Sequence, residues 1–271
     1  MRRTGTVIAV TLAAVALGAS GAATAETLRV GTECTYAPFN YRTADGELTG
    51  YDVDVARGVG ELIGAELEFV CQKWDGMIPA LLANKFDLIV ASMSITEERL
   101  QKIDFSAPYR VSIGRFIGAE DRDFHLFNDD GTVDPASFAG LKIGIGRATT
   151  YDNWIKAKIP DADVLLYDND EAMYLDLQNG RSDVIMTNPM KAYLKFLAED
   201  GGEGFEFVSP AIDEVEYFGV GVGIGVRKGN DALLERVNGA LKSLIENGEM
   251  ERYSLKYFPF AIHPQQWAGV Q

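Results

Sequence analysis

The 271-residue chain carries 25 Lys and Arg residues against 40 Asp and Glu residues, which gives a formal net charge of −15 at pH 7. So acidic a protein binds nucleic acid poorly and is repelled by anionic lipid, and we therefore expect no nucleic-acid partner. Its only cysteines and histidines are Cys34, Cys71, His125 and His263. This supply argues against a zinc site, and the sequence predicts neither a metal nor a cofactor.

The first 25 residues have the pattern of an export signal. A basic start at Met1–Arg3 precedes an apolar run at 7–17, and Ala23, Thr24 and Ala25 match an A-x-A cleavage site. The apolar run is too short for a stable membrane span. We predict a signal peptide over 1–25 with cleavage after Ala25. Loss of two arginines takes the formal charge from −15 to −17, and the remaining chain is long enough for two domains.

Beyond Thr27, strand and helix patterns alternate along the chain. The first block predicts strands at 28–32, 67–70 and 87–91 and helices at 51–64 and 77–82. A polar segment at 121–131 precedes a second block with strands at 142–146, 164–167 and 184–187 and helices at 150–158, 171–179 and 189–198. A strand with alternating glycines at 217–227 and helices at 231–247 and 249–257 follow. This alternation predicts an α/β protein of two similar lobes with mostly parallel sheets.

Cys34 and Cys71 each follow a predicted strand. If those strands are parallel neighbours, both thiols lie at the same sheet edge, and a disulfide is possible in an exported, oxidised protein. The sequence cannot test the required Cα separation. It therefore leaves a disulfide and two separate thiols as open alternatives.

The stretch from Ser92 to Arg99 is the most informative in the chain. Ser92 and Ser94 follow the predicted strand at 87–91, and Thr96 is a plausible N-cap of the next helix. Arg99 stands in the first turn of that helix, where the helix dipole disfavours a cation. Either Arg99 pairs with a neighbouring glutamate on the surface, or it binds an anion. The two preceding serines favour a bidentate clamp for a carboxylate.

Further polar or aromatic residues follow other predicted strands, namely Glu33, Tyr36, Trp74, Thr149, Thr150 and Asn188. Each also has an ordinary structural interpretation, as a core aromatic, a solvated acid or a helix N-cap. However, all of them stand at strand carboxyl ends, where open α/β sheets form ligand crevices. Because such strand-end residues occur in both predicted lobes, we predict one cleft between the lobes.

These stretches carry a resemblance to a known family: Gly31–Phe39, Gly50–Ala56, Ser92–Arg99, Thr149–Thr150, Gly180–Asp183 and Phe218–Arg227. The chain resembles the periplasmic amino-acid-binding proteins that serve ABC importers, the bacterial extracellular solute-binding proteins of family 3. The resemblance implies lobe 1 at 26–113 plus 216–271, lobe 2 at 114–215, and hinge strands near 112–115 and 213–217. It also implies a periplasmic location, a membrane permease as partner, and a monomer without a catalytic residue.

The resemblance further implies a role for each site residue. Arg99 and the Ser94 region would hold the ligand α-carboxylate with Thr149 or Thr150, and backbone near Ser92 would hold the α-amino group. Tyr36 and Trp74 would enclose the side chain, and Glu33 would face its distal end. The full predicted set is Glu33, Tyr36, Trp74, Ser92, Met93, Ser94, Arg99, Thr149, Thr150 and Asn188.

Asn188 departs from the family pattern, in which an Asp usually pairs with the α-ammonium. Loss of such a charge-assisted hydrogen bond costs about 1.5–3 kcal/mol. We therefore predict a cationic or polar amino acid, or an opine-like ligand with a secondary amine, as in the opine-binding branch. The alternative functions are a dehydratase-like enzyme on the same scaffold, with Glu33 as general acid or base, and the sensor domain of a receptor.

Overall fold

A computed structural model describes residues 26–265, so the predicted signal peptide at 1–25 lies outside the described residues. The first part of the chain forms β1 (Glu26–Thr32), β2 (Thr35–Tyr36), β3 (Asn40–Arg42), β4 (Leu48–Thr49), α1 (Tyr51–Ile63), β5 (Ala65–Cys71), α2 (Met77–Leu82), β6 (Leu88–Ile89), α3 (Glu97–Leu100) and β7 (Asp104–Phe105). The second part forms β8 (Arg115–Ala119), β9 (Lys142–Gly146), α4 (Thr150–Lys158), β10 (Asp163–Tyr167), α5 (Asp170–Gln178), β11 (Val184–Thr187), α6 (Pro189–Ala192), β12 (Phe205–Phe207) and α7 (Val215–Phe218). The last elements are β13 (Gly225–Val226), α8 (Asp231–Glu246) and α9 (Glu249–Tyr257).

Two five-stranded sheets organise the molecule, in the orders β5-β1-β6-β13-β7 and β10-β9-β11-β8-β12. In the first sheet, β5, β1 and β6 run parallel and β13 runs antiparallel to both of its neighbours. In the second sheet, β10, β9 and β11 run parallel and β8 is the reversed strand. Each lobe therefore has the predicted parallel strands together with one reversed strand. A small antiparallel sheet, β2-β3-β4, flanks the first.

Helices cover both faces of each sheet, which explains why the central strands β6 and β11 are buried along their whole length. One face of the first sheet packs against α1, α8 and α9 through Val55, Val59, Val237 and Leu241. The other face packs against α2 through Met77, Leu81, Phe86 and Ile89. The second sheet is covered in the same way by two further clusters. Among residues 26–265, no helix is long and apolar enough to cross a membrane.

The chain passes between the sheets twice, and the two crossings lie side by side. Isolated antiparallel bridges join Gly114 to Ile212 and Arg110 to Val222. Tyr217 and Phe218 then pack in the core of the second sheet before the chain returns to the first.

The predicted strand at 217–227 is wrong over most of its length. Residues 215–218 form α7, and regular strand structure is confined to Gly225–Val226. Positive φ angles of 69° at Gly219 and 137° at Gly221 break the extended backbone. The glycines nevertheless allow close approach, because a Cβ at Gly223 would lie 2.8 Å from the Ile95 side chain.

The structure resolves the alternatives for the cysteines. Strands β1 and β5 are parallel neighbours in a register that places Thr32 opposite Cys71. Cys34 and Cys71 form a disulfide with a Cα–Cα distance of 5.6 Å. The bond ties the loop after β1 to the end of β5, at the edge of the cleft described next.

Candidate ligand-binding cleft

A cleft of about 680 Å³ lies between the carboxyl ends of the parallel strands of the two sheets. All six parallel strands contribute wall residues at or just after their ends, which are Glu33, Gln72, Ser92, Arg147, Asp168 and Asn188. Nine of the ten predicted site residues line it, namely Glu33, Tyr36, Trp74, Ser92, Ser94, Arg99, Thr149, Thr150 and Asn188. Met93 does not, because its side chain is buried in the core beside α2.

Arg99 occupies the position expected of an anion clamp. It lines the cleft although only 9% of its surface is exposed. Its Nη1 donates to the Ser94 carbonyl oxygen at 3.0 Å, and its guanidinium lies 5.3 Å from the centre of the Trp74 ring. The surface pairing considered above does not form, since Glu98 pairs with Lys102 instead. Burial lowers the Arg99 pKa to about 10, still far above neutral pH, so the side chain is a desolvated cation.

The loop that carries the serines is held by side-chain hydrogen bonds. Ser92, at a positive φ of 54°, donates to Asp52 Oδ2 at 2.8 Å. The Ser94 and Ser112 hydroxyls lie 2.7 Å apart. As expected, Thr96 caps α3 by accepting from the Arg99 backbone N–H. These contacts fix the loop geometry before any ligand arrives.

On the opposite wall, Thr149 and Asn188 are helix N-caps. Thr149 Oγ1 accepts from the Asp152 N–H of α4, and Asn188 Oδ1 accepts from the Lys191 N–H of α6. Thr150 is the first residue of α4 and is buried. The positive end of the α4 dipole therefore faces the cleft, and an anion is favoured there.

A cluster of charges surrounds Glu33. Lys191 is almost fully buried, and its Nζ lies 2.7 Å from Asp170 Oδ2 and 4.0 Å from the centre of the Tyr36 ring. Burial raises the Glu33 pKa to about 7, against the attraction of Lys191 and with a smaller contribution from Asp170. At neutral pH this carboxyl is partly protonated. Asp170 also lines the cleft, so Glu33 and Asp170 both face the cleft near Tyr36.

Trp74 joins the two walls. Its Nε1–H donates to the Ala148 carbonyl oxygen at 3.0 Å, across the mouth of the cleft from the Arg99 side to the α4 side. Asn153 Nδ2 donates to Glu98 Oε2 at 3.3 Å across the same opening. The acceptor residue Ala148 has a positive φ of 56°. The cleft is therefore bridged at its edge.

Residues 28–260 match the model of the family described as bacterial extracellular solute-binding proteins, family 3. The chain belongs to this family. An L-arginine-binding protein of Pseudomonas aeruginosa is 36% identical over 239 residues, which cover 87% of this chain and 89% of that protein. The solved structure of a Salmonella typhimurium periplasmic binding protein of high arginine specificity is similar with a TM-score of 0.76 and 31% identity, over 86% of this chain and 100% of that one. An ancestral amino-acid-binding protein, a precursor of cyclohexadienyl dehydratase, gives a TM-score of 0.71 and 29% identity, over 86% of this chain and 95% of that one.

Sequence reasoning missed several wall residues of this solute-binding protein. Asp170 follows β10, and the strand-end argument applied to that strand would have found it. Tyr151 lies one residue beyond the predicted Thr150. Arg110 lies in the crossing segment, and no pattern in the sequence indicates that it faces the cleft.

Proposed function

We propose that this solute-binding protein captures an amino acid or amino-acid derivative through its α-carboxylate. One observation carries the proposal: Arg99 is a buried cation in the cleft wall, and it forms no ion pair with a carboxylate in the part of the chain that the structure describes. A buried unpaired charge is costly. A ligand carboxylate relieves that cost, and the α4 N-terminus at Thr149 and Thr150 supplies N–H donors to the same group.

We propose a cationic or polar ligand, including opine-like conjugates. Asn188 is neutral and caps α6, so it offers no negative charge to a primary ammonium. Among the acidic residues of the cleft wall, Asp168 pairs with Arg147 and Asp170 pairs with Lys191. Asp75 and Glu171 are exposed, whereas Glu33 is half-buried. Glu33 thus remains the natural partner of a distal guanidinium or ammonium. The names of the arginine-binding relatives agree with this ligand class.

The lobes would close on the ligand about the paired crossings. We propose that lobe 2 spans approximately residues 114–215. Because Tyr217 and Phe218 pack in the core of the second sheet, the chain returns to lobe 1 nearer Gly219. We further propose export by the predicted signal peptide, a monomeric protein in the periplasm, and delivery of the ligand to an ABC importer permease.

The first test is a thermal-shift screen of residues 26–271 against the standard amino acids, polyamines and a set of opines. A ligand at 100 times its Kd adds about 2.7 kcal/mol to the free energy of unfolding. For a chain of this size, Tm rises by roughly 2–4 °C per kcal/mol. A shift with cationic or polar compounds supports the proposal, and no shift with any amino acid or derivative contradicts it.

Substitution of Arg99 tests the carboxylate clamp. Arg99→Ala should abolish the ligand-induced shift while the protein still unfolds cooperatively, and Arg99→Lys should bind weakly because it retains charge without the planar fork. Arg252→Ala, which removes an exposed pair with Glu249, is the control. Unchanged affinity in Arg99→Ala would exclude the clamp.

The raised pKa of Glu33 supports an enzymatic function as the second candidate. A carboxyl with a pKa of about 7 is suited to general acid or base catalysis at neutral pH. The family and the relatives named above are binding proteins, and this supports binding as the main function. Incubation of the protein with hydroxylated cyclohexadienyl compounds, the substrate class that the name of the dehydratase implies, tests this alternative. Turnover that Glu33→Gln abolishes would establish it.

A further inference from the structure

One buried carboxylate lies behind the cleft and contacts the segments that form its wall. Asp52, the second residue of α1, is fully buried and does not line the cleft in the part of the chain that the structure describes. Its two oxygens accept three hydrogen bonds, from Asn40 Nδ2 at 2.8 Å, Ser92 Oγ at 2.8 Å and Tyr109 Oη at 2.9 Å. The binding mode proposed above assigns Asp52 no role.

Two of these donors lead to turns in the cleft wall. Ser92 is itself a wall residue, in the loop after β6. Asn40 leads to the turn after β1, because its Oδ1 accepts from the backbone N–H groups of Glu33 and Cys34, both at 3.1 Å. Ser92 and Cys34 have positive φ angles of 54° and 67°, which residues other than glycine rarely adopt and which persist only where surrounding contacts hold them. Asp52 therefore holds both turns, one directly and one through Asn40.

The third donor leads to the paired crossings between the sheets. Tyr109 precedes Arg110 in the first crossing, and its backbone N–H donates to the Val222 carbonyl oxygen of the second crossing at 2.8 Å. Burial raises the pKa of Asp52, and the Arg110 charge is the largest influence that opposes burial. Arg110 therefore balances the buried carboxylate and favours its ionised form. One side chain thus connects two turns of the cleft wall to the crossings.

Only a carboxylate can make this set of contacts. An ionised carboxylate accepts hydrogen bonds and donates none. It therefore fixes the orientation of the Asn40 amide, whose Nδ2 must face Asp52 and whose Oδ1 must face the N–H groups of the turn. The amide of an asparagine has one acceptor oxygen and a donor group, so Asp52→Asn cannot keep all three hydrogen bonds in this geometry.

We infer that Asp52 is a positioning residue for ligand binding, which holds the turns at Glu33–Cys34 and at Ser92 in their binding conformation without touching the ligand. The inference rests on the proposed function, and it extends that function to a residue outside the cleft wall. It requires that loss of the carboxylate disturbs a turn that Asp52 does not itself contact, since only Asn40 reaches the Glu33 and Cys34 N–H groups.

Hydrogen–deuterium exchange of the ligand-free protein tests the positioning. Asp52→Asn should accelerate exchange of the Glu33 and Cys34 amides roughly tenfold or more. This acceleration should exceed that of the amides shared by β1 and β5, which report global stability. Asp54→Asn is the matched control, because Asp54 is a buried acid of the same helix whose partners Lys256 and Tyr257 do not line the cleft. That variant should leave the turn no faster than the β1 and β5 amides.

Isothermal titration tests the consequence for binding. With L-arginine, or with the compound of the thermal-shift screen that gives the largest shift, Kd should be roughly ten- to a hundredfold higher in Asp52→Asn than in wild type. Asp54→Asn should keep the wild-type Kd. If Asp52→Asn fails to unfold cooperatively, Asp52→Asn/Arg110→Gln removes both buried charges and leaves neither unpaired. Exchange at Glu33 and Cys34 then decides the question in that double variant.

Three results would overturn the inference. Exchange at Glu33 and Cys34 that accelerates no more than exchange in β1 and β5 would show that Asp52 only stabilises the fold. An unchanged Kd in Asp52→Asn would show that the turns it holds do not govern binding. If wild-type protein binds no compound of the screen, the proposed function fails and the role of Asp52 in binding fails with it. In the first two cases wild-type protein binds its ligand and the inference fails alone.

Discussion

Ionisation of Glu33 should couple ligand binding to proton release. Its pKa is raised to about 7, mainly by burial, while Lys191 and a hydrogen bond from Thr35 act in the opposite direction and Asp170 and Glu171 act with burial. A ligand cation placed against Glu33 stabilises the ionised carboxylate. We therefore expect binding to lower the pKa of this group towards its ordinary value of 4.5.

The size of the effect follows from the pKa. At pH 7 roughly half of the Glu33 carboxyls are protonated in the free protein, so binding releases roughly half a proton. The release rises to about 0.9 proton at pH 6 and falls to about 0.1 at pH 8. Over the same interval the Kd for a cationic ligand should rise about tenfold from pH 8 to pH 6.

Isothermal titration in phosphate and in Tris measures the proton release, because the two buffers differ in protonation enthalpy. Glu33→Gln should bind more weakly and should show neither the release nor the pH slope. Glu171→Gln is the matched control, since Glu171 is a neighbouring acid of the cleft wall. This variant should keep both, with at most a small shift of the midpoint to lower pH, because Glu171 is the smallest of the named influences on the Glu33 pKa. Proton release that persists in Glu33→Gln would refute the assignment.

In the free protein, the raised pKa of Glu33 should make the free energy of unfolding fall as pH rises. Because the folded-state pKa of Glu33 lies above its unfolded value of 4.5, its contribution to the free energy of unfolding is fully present below pH 4.5 and is lost as pH rises through 7. Denaturant titrations of wild type and Glu33→Gln between pH 4.5 and pH 8 measure this difference. A difference that is independent of pH would contradict the raised pKa.

Two further predictions concern the edge of the cleft. Trp74→Phe keeps a ring beside Arg99 but removes the hydrogen bond to the Ala148 carbonyl oxygen, a loss of about 0.5–1.5 kcal/mol. Ligand dissociation, measured by stopped flow, should therefore accelerate roughly two- to tenfold. An unchanged rate would show that this hydrogen bond does not hold the cleft closed. The Cys34–Cys71 disulfide closes a sequence separation of 37 residues, so Cys34→Ala/Cys71→Ala should lower the free energy of unfolding by about 4 kcal/mol. Denaturant unfolding checks this value, reduced wild type should match the double variant, and a loss under about 1 kcal/mol would contradict the loop-entropy argument.

The stretch from Ser92 to Arg99 shows how far local reasoning reaches. A strand end, two serines, an N-cap at Thr96 and a misplaced cation at Arg99 are all features of one short stretch. They predict the local structure because caps and dipoles act within one helical turn. The same reasoning failed at 217–227, where glycines that permit an extended strand equally permit the turns at Gly219 and Gly221.

The sequence by itself determined the alternation of strands and helices, the two lobes and nine of the cleft residues, because apolar periodicity and strand-end position are local properties. Only the tertiary structure decided the pairing of Cys34 with Cys71 and the burial of Lys191 against Asp170. It also decided that Arg110 lines the cleft. Those properties depend on which distant segments meet, and the charge that a side chain feels is fixed by its neighbours in space.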